Sequence, residues 1–398
     1  MGNKERLQEF RDRLSSDLDK CVKFWLENSH DDENGGFFTC LCRDGRVYDE
    51  TKYGWLQGRQ VWMYARLYNE VARFRTKQIL DTAKKGAAFM MEHLRRPDSY
   101  KCYFSTTRDG RPLKSQRTVF TECFYVMAMA EMARSTGEDL YKSEALNMFK
   151  ALVYWVRKDD TALGRPKLSG IDSINTLAVP MMLLCVLDVL GTMDNTLWDT
   201  YDELATWSIN RILAHIQREG SVILENVSED GRELPGSDGR KMSPGHAIEG
   251  GWFLLQVAQR TNNKELAGKA IQHFMVNPMT YGWDSKYGGL FYLMDVDGFP
   301  PTELSWNMKL WWPHNEALIA FLMAYEYTGD EAHLDRFAQI YDYSMKHFSD
   351  EVHGEWLGYL NQSGEVALEC KGGPFKGCFH VPRCLMMCEH VLDRLLHT

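Results

Sequence analysis

Residues 309–349 read KLWWPHNEALIAFLMAYEYTGDEAHLDRFAQIYDYSMKHFS and contain two kinds of helical pattern. Between Ala317 and Tyr325, apolar residues occupy every face, as in a helix that is covered on all sides. After Thr328-Gly329, apolar residues recur every three or four positions, which predicts an amphipathic helix over 330–349. The stretch therefore predicts a buried helix and a surface helix that are joined by a short turn.

The same alternation runs along the rest of the chain. Apolar helices are predicted near 55–73, 117–136, 172–191, 243–261, 309–328 and 379–396. Amphipathic helices are predicted near 5–28, 77–95, 138–158, 196–219, 262–276 and 330–349. Links from an apolar helix to the next amphipathic one are short, whereas the links back are long and carry Asp-Gly and Gly-Gly signals that favour hairpins. This order predicts an all-α fold, an (α/α)6 barrel of six inner and six outer helices with short β-hairpins in the long loops on one face.

The repeated helix pairs extend over the whole chain, so we expect 1–398 to form a single (α/α)6-barrel catalytic domain. An open solenoid of helix pairs would show the same alternation. In an open array, however, the inner helices would have a wet concave face and a polar stripe, and the sequence shows no such stripe. The pattern therefore favours a closed ring.

Composition and charge exclude several classes of protein. Lys and Arg total 46 against 55 Asp and Glu, and no basic block is present, which argues against a nucleic-acid partner. The longest apolar run, Leu177 to Leu190, contains Pro180 and Asp188 and is too short to span a membrane. The N-terminus has no apolar signal stretch, and the ten cysteines show no redox C-x-x-C spacing. We therefore expect a soluble, cytoplasmic protein with reduced thiols and no membrane partner.

In such a barrel all six inner helices begin at the long-loop face, where their positive N-terminal ends converge on one cavity. Three of the twelve histidines fall at equivalent starts in the last three repeats, which favours a functional role. Asn175 and Glu122 could equally be ordinary helix caps. The polar residues at the six starts are Arg59, Glu122, Asn175, His246 with Glu249, His314 with Glu316, and His380.

Metal binding is not favoured by the spacing of these residues. His246 and Glu249 are three apart and share a helix face, whereas His314 and Glu316 are two apart and do not. No H-E-x-x-H motif occurs, and Cys378 has no second thiol at zinc spacing.

Aromatic residues such as Tyr53 and Trp312 cluster near the same helix starts, which favours a polar ligand of carbohydrate size.

Four separated motifs carry a specific resemblance: WLQGRQVW at 55–62, SPGHAIE at 243–249, WWPHNEA at 311–317 and FHVPR at 379–383. In this order they closely resemble the N-acylglucosamine 2-epimerase family, also called renin-binding proteins, over essentially the whole chain. The resemblance implies a cytosolic (α/α)6 homodimer that interconverts N-acetylglucosamine and N-acetylmannosamine. It also implies ATP as an activator that is not consumed, at a site that the sequence does not indicate. The family's catalytic set falls here on Arg59, His246, Glu316 and His380.

The chemistry of such a reaction agrees with these residue types. The C2 proton of a hexose becomes acidic only when the ring opens to an aldehyde, and inversion needs proton removal on one face and delivery on the other. Two imidazoles can do this, and we expect His380 to act at C2 with His246 opposite. We expect Arg59 to hold the enolate oxygen and Glu316 to orient a histidine or assist ring opening. Further substrate contacts are expected from Glu249, Asn175, Trp312, Tyr53 and His314.

Three alternative functions remain open at this stage. A glycoside hydrolase on the same barrel would need two opposed carboxylates, for which Glu122 and Glu316 are the obvious candidates. A 2-epimerase for another sugar, such as cellobiose, would use similar residues. The family's second name also suggests a non-catalytic protein that binds renin as its partner.

Overall fold

A computed structural model of the chain describes residues 3–165, 169–170 and 173–397. The helices in chain order are α1 (Asn3–Asn28), α2 (Gly54–Glu70), α3 (Lys77–Phe89), α4 (Phe120–Thr136), α5 (Asp139–Arg157), α6 (Ala178–Met193), α7 (Thr196–Thr200), α8 (Asp202–Leu213), α9 (Gly236–Gly239), α10 (Pro244–Arg260), α11 (Lys264–Lys269), α12 (Asn277–Gly282), α13 (Trp311–Thr328), α14 (Glu331–His347) and α15 (His380–His397). Two segments are π-helical. Met90–Leu94 continues α3, and Ala270–Val276 joins α11 to α12.

Six of these helices form an inner ring in the order α2, α4, α6, α10, α13 and α15. Each inner helix packs on its neighbours in the ring and, among the outer helical segments, most extensively on the one of its own pair. The last inner helix, α15, packs on α2 and also on α1, so the first outer helix and the last inner helix form the sixth pair. The ring is therefore closed, which confirms the predicted (α/α)6 barrel and rules out the open solenoid.

The two patterns in residues 309–349 correspond to the two kinds of position in the barrel. Every residue of α13 from Pro313 to Ala324 is buried, because outer helices cover its outside and the ring covers its inside. In α14, by contrast, Leu334, Phe337 and Tyr341 form part of one buried stripe. No helix within the described residues combines the length and the apolar character needed to cross a bilayer.

Short antiparallel ribbons occupy the long-loop face, as the turn signals predict. The strands are β1 (Cys40–Leu41), β2 (Val47–Asp49), β3 (Lys52–Tyr53), β4 (Ser105–Thr106), β5 (Pro112–Lys114), β6 (Ile174–Thr176), β7 (Ile216–Gln217), β8 (Val222–Ile223), β9 (Asn226–Ser228), β10 (Lys241–Met242), β11 (Met294–Asp295), β12 (Lys309–Leu310), β13 (Tyr359–Leu360) and β14 (Val366–Leu368). They form the sheets β1-β2, β3-β4-β5, β6-β9, β7-β8, β10-β11 and β12-β13-β14. Strands β3, β10 and β12 directly precede inner helices and pair with the next long loop, so the ribbons fix where those helices begin.

Three helix boundaries differ from the prediction. The third inner helix was predicted over 172–191, but Ile174–Thr176 pairs with Asn226–Ser228 and the helix begins only at Ala178. Position 172 itself lies outside the described residues. The outer helix predicted over 196–219 breaks at Tyr201 and ends at Leu213. The outer helix predicted over 262–276 continues through a π-helical segment to Gly282. Strand pairing between distant loops decides the first difference, and no local pattern reports it.

Buried ion pairs hold the long loops against the helix starts. In each pair a lysine ammonium contacts one carboxylate oxygen of an aspartate, and the other oxygen accepts backbone N–H groups of the following turn. The pairs are Lys52–Asp31 at 2.8 Å, Lys309–Asp284 at 2.9 Å and Lys371–Asp350 at 2.8 Å. Lys52 and Lys309 lie two residues before α2 and α13. These pairs therefore anchor two of the helices whose first turns form the cavity described next.

Candidate active site

A cavity of about 380 Å³ lies inside the inner ring at the long-loop face. This volume is within the range of small-molecule sites. Its lining comes mainly from the first turns of α2, α4, α6, α10 and α15, and it includes the predicted residues Arg59, His246 and Glu249. Five of the six inner-helix starts therefore meet at one hollow, whereas the predicted residues Trp312, Glu316 and His380 are not among its lining residues.

His380 is the first residue of α15 and is buried. Its Nδ1 lies 2.7 Å from Oε1 of Glu316, whose Oε2 accepts a hydrogen bond from the Trp252 indole N–H at 2.9 Å. Burial and the positive charges of Arg59 and Arg383 lower the pKa of His380 well below its usual value. At neutral pH the imidazole is therefore uncharged, with its Nδ1–H on Glu316 and its Nε2 free to accept a proton.

Arg383, one turn after His380, joins two carboxylates beneath the imidazole. Its Nη2 donates to Oε1 of Glu316 at 2.5 Å and to Oε1 of Glu249 at 3.1 Å. Burial lowers the pKa of Arg383, but the charges of Glu316 and Glu249 raise it more. Ligand atoms of Glu249, Glu316 and His380 lie within 4.8 Å of one another, as a metal site would require. The guanidinium already supplies the positive charge between the two carboxylates.

His246 lies in the first turn of α10 and has a different environment from His380. Its Nδ1 is 3.0 Å from Oε2 of Glu225, a residue of the long loop before α10. Burial lowers the pKa of His246, but the charge of Glu225 and its hydrogen bond raise it more, so the net pKa is raised. The pKa shifts of the two histidines therefore have opposite directions, and His246 takes up a proton more readily than His380.

Trp312 packs near both imidazoles. Its ring centroid is 4.9 Å from that of His246 and 6.1 Å from that of His380, with the planes inclined by 38° and 40°. His246 and His380 come from different inner helices, so one indole contacts the imidazoles of two helices. The structure thus joins Trp312 to both predicted catalytic histidines.

Aromatic rings hold the guanidinium of Arg59. Its Cζ lies 4.5 Å from the ring centroid of Trp55, 4.4 Å from that of Phe124 and 4.6 Å from that of Phe379. No carboxylate of the described residues lies within 4.0 Å of it. Burial lowers the pKa of Arg59 to about 9, so the group stays cationic at neutral pH. Arg59 therefore presents to the cavity a positive charge that Glu249 and Glu316 stabilise only from beyond ion-pair distance.

Two predicted substrate contacts have other partners in the structure. Both ring nitrogens of His314 are bound to backbone, since Nδ1 donates to the Leu310 carbonyl at 2.6 Å and Nε2 accepts from the Leu290 N–H at 3.0 Å. Its ring stacks on Tyr343 of the outer helix α14. Burial lowers the pKa of His314 to about 3. His314 is thus a structural residue of the barrel wall, which corrects its expected role.

Asn175 and Tyr53 are also not among the cavity's lining residues, and neither forms a hydrogen bond or ring contact with His246, Glu316 or His380. Asn175 is on β6 rather than at a helix start, and its Nδ2 donates to the Arg211 carbonyl at 3.0 Å, which corrects the prediction that it contacts substrate. Tyr53 precedes α2 and packs its ring against Phe104, a lining residue, with centroids 5.8 Å apart. Tyr53 therefore supports the lining from behind.

Glu122 does not form a catalytic pair with Glu316. It is fully buried and accepts hydrogen bonds from Lys101 at 2.8 Å and from the backbone N–H of Cys102 at 2.7 Å. Its partners belong to the loop before α4. The pair of opposed carboxylates expected for a glycoside hydrolase is therefore not made by these two residues.

The sequence prediction missed three functional residues. Glu225 holds His246, Trp252 holds Glu316, and Arg383 joins Glu316 to Glu249. Arg383 lies inside the last quoted motif, and a buried cation in the first turn of an apolar helix was a usable signal there. Glu225 had none, because it meets His246 only through the folding of a long loop.

Comparison with known proteins completes the description of the site. The family model for N-acylglucosamine 2-epimerase (GlcNAc 2-epimerase) matches residues 36–384. N-acylglucosamine 2-epimerase of Mus musculus is 55% identical over 394 residues, which cover 99% of this chain and 94% of that protein. The Homo sapiens protein of the same name is 54% identical over 99% of this chain and 92% of its own length. Cellobiose 2-epimerase from Bacillus thermoamylovorans B4167 superposes with a TM-score of 0.82 at 21% identity, covering 97% of this chain and all of that one, and shows the shared fold.

Proposed function

The chain belongs to the N-acylglucosamine 2-epimerase family, and we propose that it interconverts N-acetylglucosamine and N-acetylmannosamine by moving the proton at C2 of the open-chain sugar. Membership makes the protein a sugar epimerase, an isomerase that acts on carbohydrates. The observation that carries the proposed mechanism is the pair of histidines near Trp312 whose pKa values are shifted in opposite directions. A neutral base and a protonated acid at one site are what a two-base inversion needs.

In the proposed reaction the sugar ring opens first, because the C1 aldehyde makes the C2 proton acidic. The free Nε2 of His380 takes that proton, the C2–H bond breaks, and its electron pair moves into an enolate with the negative charge on the C1 oxygen. His246 then donates its proton to the other face of C2, and the aldehyde re-forms as the opposite epimer. In the reverse direction the two histidines exchange roles.

Arg59 stabilises the enolate oxygen in this proposal. Its guanidinium is held by aromatic faces and has no carboxylate partner within ion-pair distance among the described residues. A cation with no acidic partner, in a site of low polarity, interacts strongly with charge that develops only during the reaction. Positive ends of the inner helices point to the same cavity and act in the same sense.

Glu316 orients the His380 imidazole and stabilises its protonated form. Its carboxylate accepts the Nδ1–H, which keeps Nε2 as the basic nitrogen, and it stabilises the imidazolium that forms when Nε2 takes the C2 proton. Arg383 and Trp252 in turn fix the carboxylate from two sides. Together they hold the base in one orientation.

Turnover in D2O tests the proposal. Purified protein is incubated with N-acetylglucosamine in D2O, and both epimers are followed by proton NMR. We expect N-acetylmannosamine to appear with deuterium at C2. Product that retains its C2 proton would overturn the two-base mechanism, and faster turnover of cellobiose than of the N-acetyl sugar would overturn the proposed substrate.

The family resemblance supports further parts of the proposal. We include a homodimer, ATP as an activator that is not consumed, and a cytoplasmic location. Sedimentation would test the first, and activity with and without ATP, with ATP itself measured before and after, would test the second. Renin is included as a partner whose binding is separable from catalysis, which a His380→Asn protein that still binds renin would show. The proposal includes no nucleic acid or membrane partner.

A further inference from the structure

We infer that the cavity wall formed by α4 and α6 recognises the N-acyl group of the substrate, with Met182 as the main contact of the acyl methyl. The inference rests on the proposed function, because it concerns the same cavity. It adds the identity of the surface that distinguishes an N-acylated sugar from a plain hexose.

The cavity has two chemically different sides. Polar groups come from α2, α10 and α15, namely Arg59, His246, Glu249 and Arg383. The side formed by α4 and α6 presents mainly apolar groups, which are Phe120, Phe124, Ala178, Met181, Met182 and Cys185, with polar groups at Thr121 and, in the loop before α4, at Gln116 and Thr118. Burial raises the pKa of the Cys185 thiol to about 12, so this side carries no charge at neutral pH.

The position of this wall in the ring places it across from the reacting groups. In the inner order α2, α4, α6, α10, α13, α15, helix α6 is opposite α15 and helix α4 is opposite α13. Helix α15 supplies His380 and Arg383, and α13 supplies Trp312 and Glu316. If the C2–H bond points to His380, the other substituents of the tetrahedral C2, including the acylamino group, point away from α15 and toward the side of α4 and α6.

Three residues of α6 form a stripe on the inner face. Ala178, Met182 and Cys185 are four and three positions apart, lie on the same face of the helix, and line the cavity. All three are partly accessible, whereas Met181 and Leu183 beside them are buried. The accessible surface of α6 at this depth is therefore apolar surface that faces the cavity.

Such a wall suits a methyl group and not a hydroxyl. A sugar hydroxyl that loses water without gaining a hydrogen bond costs free energy, and most of these side chains offer no hydrogen bond. The acyl methyl of an N-acylhexosamine is an apolar group that only an amide separates from C2. Its burial against apolar atoms is favourable. The wall therefore gives the N-acyl sugar an advantage over a hexose with a hydroxyl at C2.

The stripe also predicts how long an acyl chain the cavity accepts. Methionine side chains are flexible and adapt to different apolar shapes. Ala178, next to Met182 on the stripe, is small. We therefore expect the N-propanoyl sugar to be turned over at a rate within about threefold of the N-acetyl sugar.

The first test changes the polarity of the wall at nearly constant size. In Met182→Gln a flexible apolar chain becomes a polar one of similar length, and Met182→Leu is the apolar control. We expect Met182→Gln to lower kcat/KM for the N-acetyl and N-propanoyl sugars about 10-fold, since one methylene contact changes discrimination about 10–200-fold. Any C2 exchange of mannose, which has no acyl group, should change less than twofold, and Met182→Leu should lose less kcat/KM for the N-acyl sugars than Met182→Gln. Met193→Gln, on the same helix but outside the cavity lining, should stay within about threefold of the parent protein.

A second measurement uses binding alone and does not need turnover. Methionines labelled with ¹³C in the ε-methyl group are examined by NMR with N-acetylmannosamine, and the Met182 signal is identified by its loss in Met182→Leu. We expect a nuclear Overhauser effect between this methyl and the acetyl methyl of the sugar.

The outcomes separate the two proposals. Three results would overturn the inference. In Met182→Gln, kcat/KM for the N-acetyl sugar could stay unchanged, or it could fall by the same factor as for mannose. In the NMR experiment, the acetyl methyl could contact other methionines and not Met182. Absence of C2 exchange with every sugar in the parent protein would instead overturn the proposed function, and the Met182 contact would still report where the acyl group lies.

Discussion

Nδ1 of His380 lies 2.7 Å from Oε1 of Glu316, and this contact decides which imidazole nitrogen can move a proton. The carboxylate can only accept, so the neutral imidazole carries its hydrogen on Nδ1 and its lone pair on Nε2. Arg383 is 3.4 Å from the same Nδ1 but donates to the carboxylate. The base in the proposed reaction is therefore Nε2.

Glu316→Gln should lower kcat strongly while the protein stays folded. The amide cannot stabilise the imidazolium, and its NH2 group can favour the tautomer with the hydrogen on Nε2, so we expect a loss of about 10²–10⁴-fold, as for other histidines that lose their carboxylate. Steady-state kinetics measures the change. Glu326→Gln is the matched control on the same helix, since Glu326 pairs with Arg394. Similar kcat values for the two variants would contradict the orienting role.

Replacing one histidine at a time should separate the two faces of C2. In His380→Asn only His246 remains, so we expect it to exchange the C2 proton of one epimer with D2O without forming the other epimer. His246→Asn should exchange the opposite epimer. NMR of each pure epimer in D2O measures both rates. A single variant that exchanges both epimers at similar rates would show that one base serves both faces.

The dependence of kcat/KM on pH should be bell-shaped and should respond to Glu225. His380 must be neutral and its pKa is lowered, so activity should fall only at a pH below about 6.5. His246 must be protonated and its pKa is raised, so the alkaline limb should lie above about 6.5. Glu225→Gln removes the charge that raises this pKa and leaves the burial that lowers it. The alkaline limb should therefore move to lower pH.

Profiles measured between pH 5 and pH 10, as an approximate range, would show this shift. Glu229→Gln is a suitable control, because Glu229 lies in the same long loop but pairs with Arg211. If Glu225→Gln leaves the alkaline limb where it is, His246 is not the group that this limb reports.

Arg59→Lys should lower activity although it keeps the charge. A planar guanidinium can contact three rings and still offer N–H groups, whereas an ammonium is a strongly hydrated point charge. We expect kcat/KM to fall about 10–100-fold, with most of the loss in kcat if Arg59 contacts the enolate. Arg66→Lys, two turns further along α2 and paired with Glu131, is the control. A loss confined to KM would place Arg59 in ground-state binding instead.

The sequence predicted the barrel because helix burial leaves a periodic record. A helix covered on all sides, such as α13, is apolar on every face, and a surface helix such as α14 has one stripe. The proposed catalytic residues Arg59, His246 and His380 could be picked out because they stand near the starts of inner helices. Periodicity therefore located both the fold and the mouth of the site.

Direction around each helix and contacts between distant loops were not available from the sequence. His314 and Glu316 share a motif, yet two residues on a helix differ by about 200° in direction, so Glu316 faces inward and His314 faces α14. Glu225 meets His246, and Asn175 meets the carbonyl of Arg211, through the path of long loops. Such contacts depend on tertiary structure that no local pattern records.

Lys309→Met should destabilise the barrel through Asp284. The Lys309 ammonium is fully buried and lies 2.9 Å from Oδ2 of Asp284, so its removal leaves a carboxylate charge buried without its partner. Loss of one partner of a buried pair typically costs about 3–5 kcal/mol. Urea denaturation at neutral pH would measure it, and Lys269→Met, which breaks an exposed pair with Glu265, should cost less than about 1 kcal/mol.

The pH dependence of this loss follows from the direction of the Asp284 shift. Burial raises the pKa of Asp284, but the hydrogen bond from Lys309 and the backbone N–H groups lower it more, so the net pKa is lowered. The ionised carboxylate therefore stabilises the parent protein above about pH 4, and this contribution falls as the pH drops through the folded pKa. In Lys309→Met the carboxyl can instead take a proton, so its deficit should shrink as the pH falls toward 4. The double variant Asp284→Asn/Lys309→Met should recover part of the lost stability at neutral pH. If the double variant is no more stable than Lys309→Met, the cost lies in the packing of the lysine chain and not in the unpaired carboxylate charge.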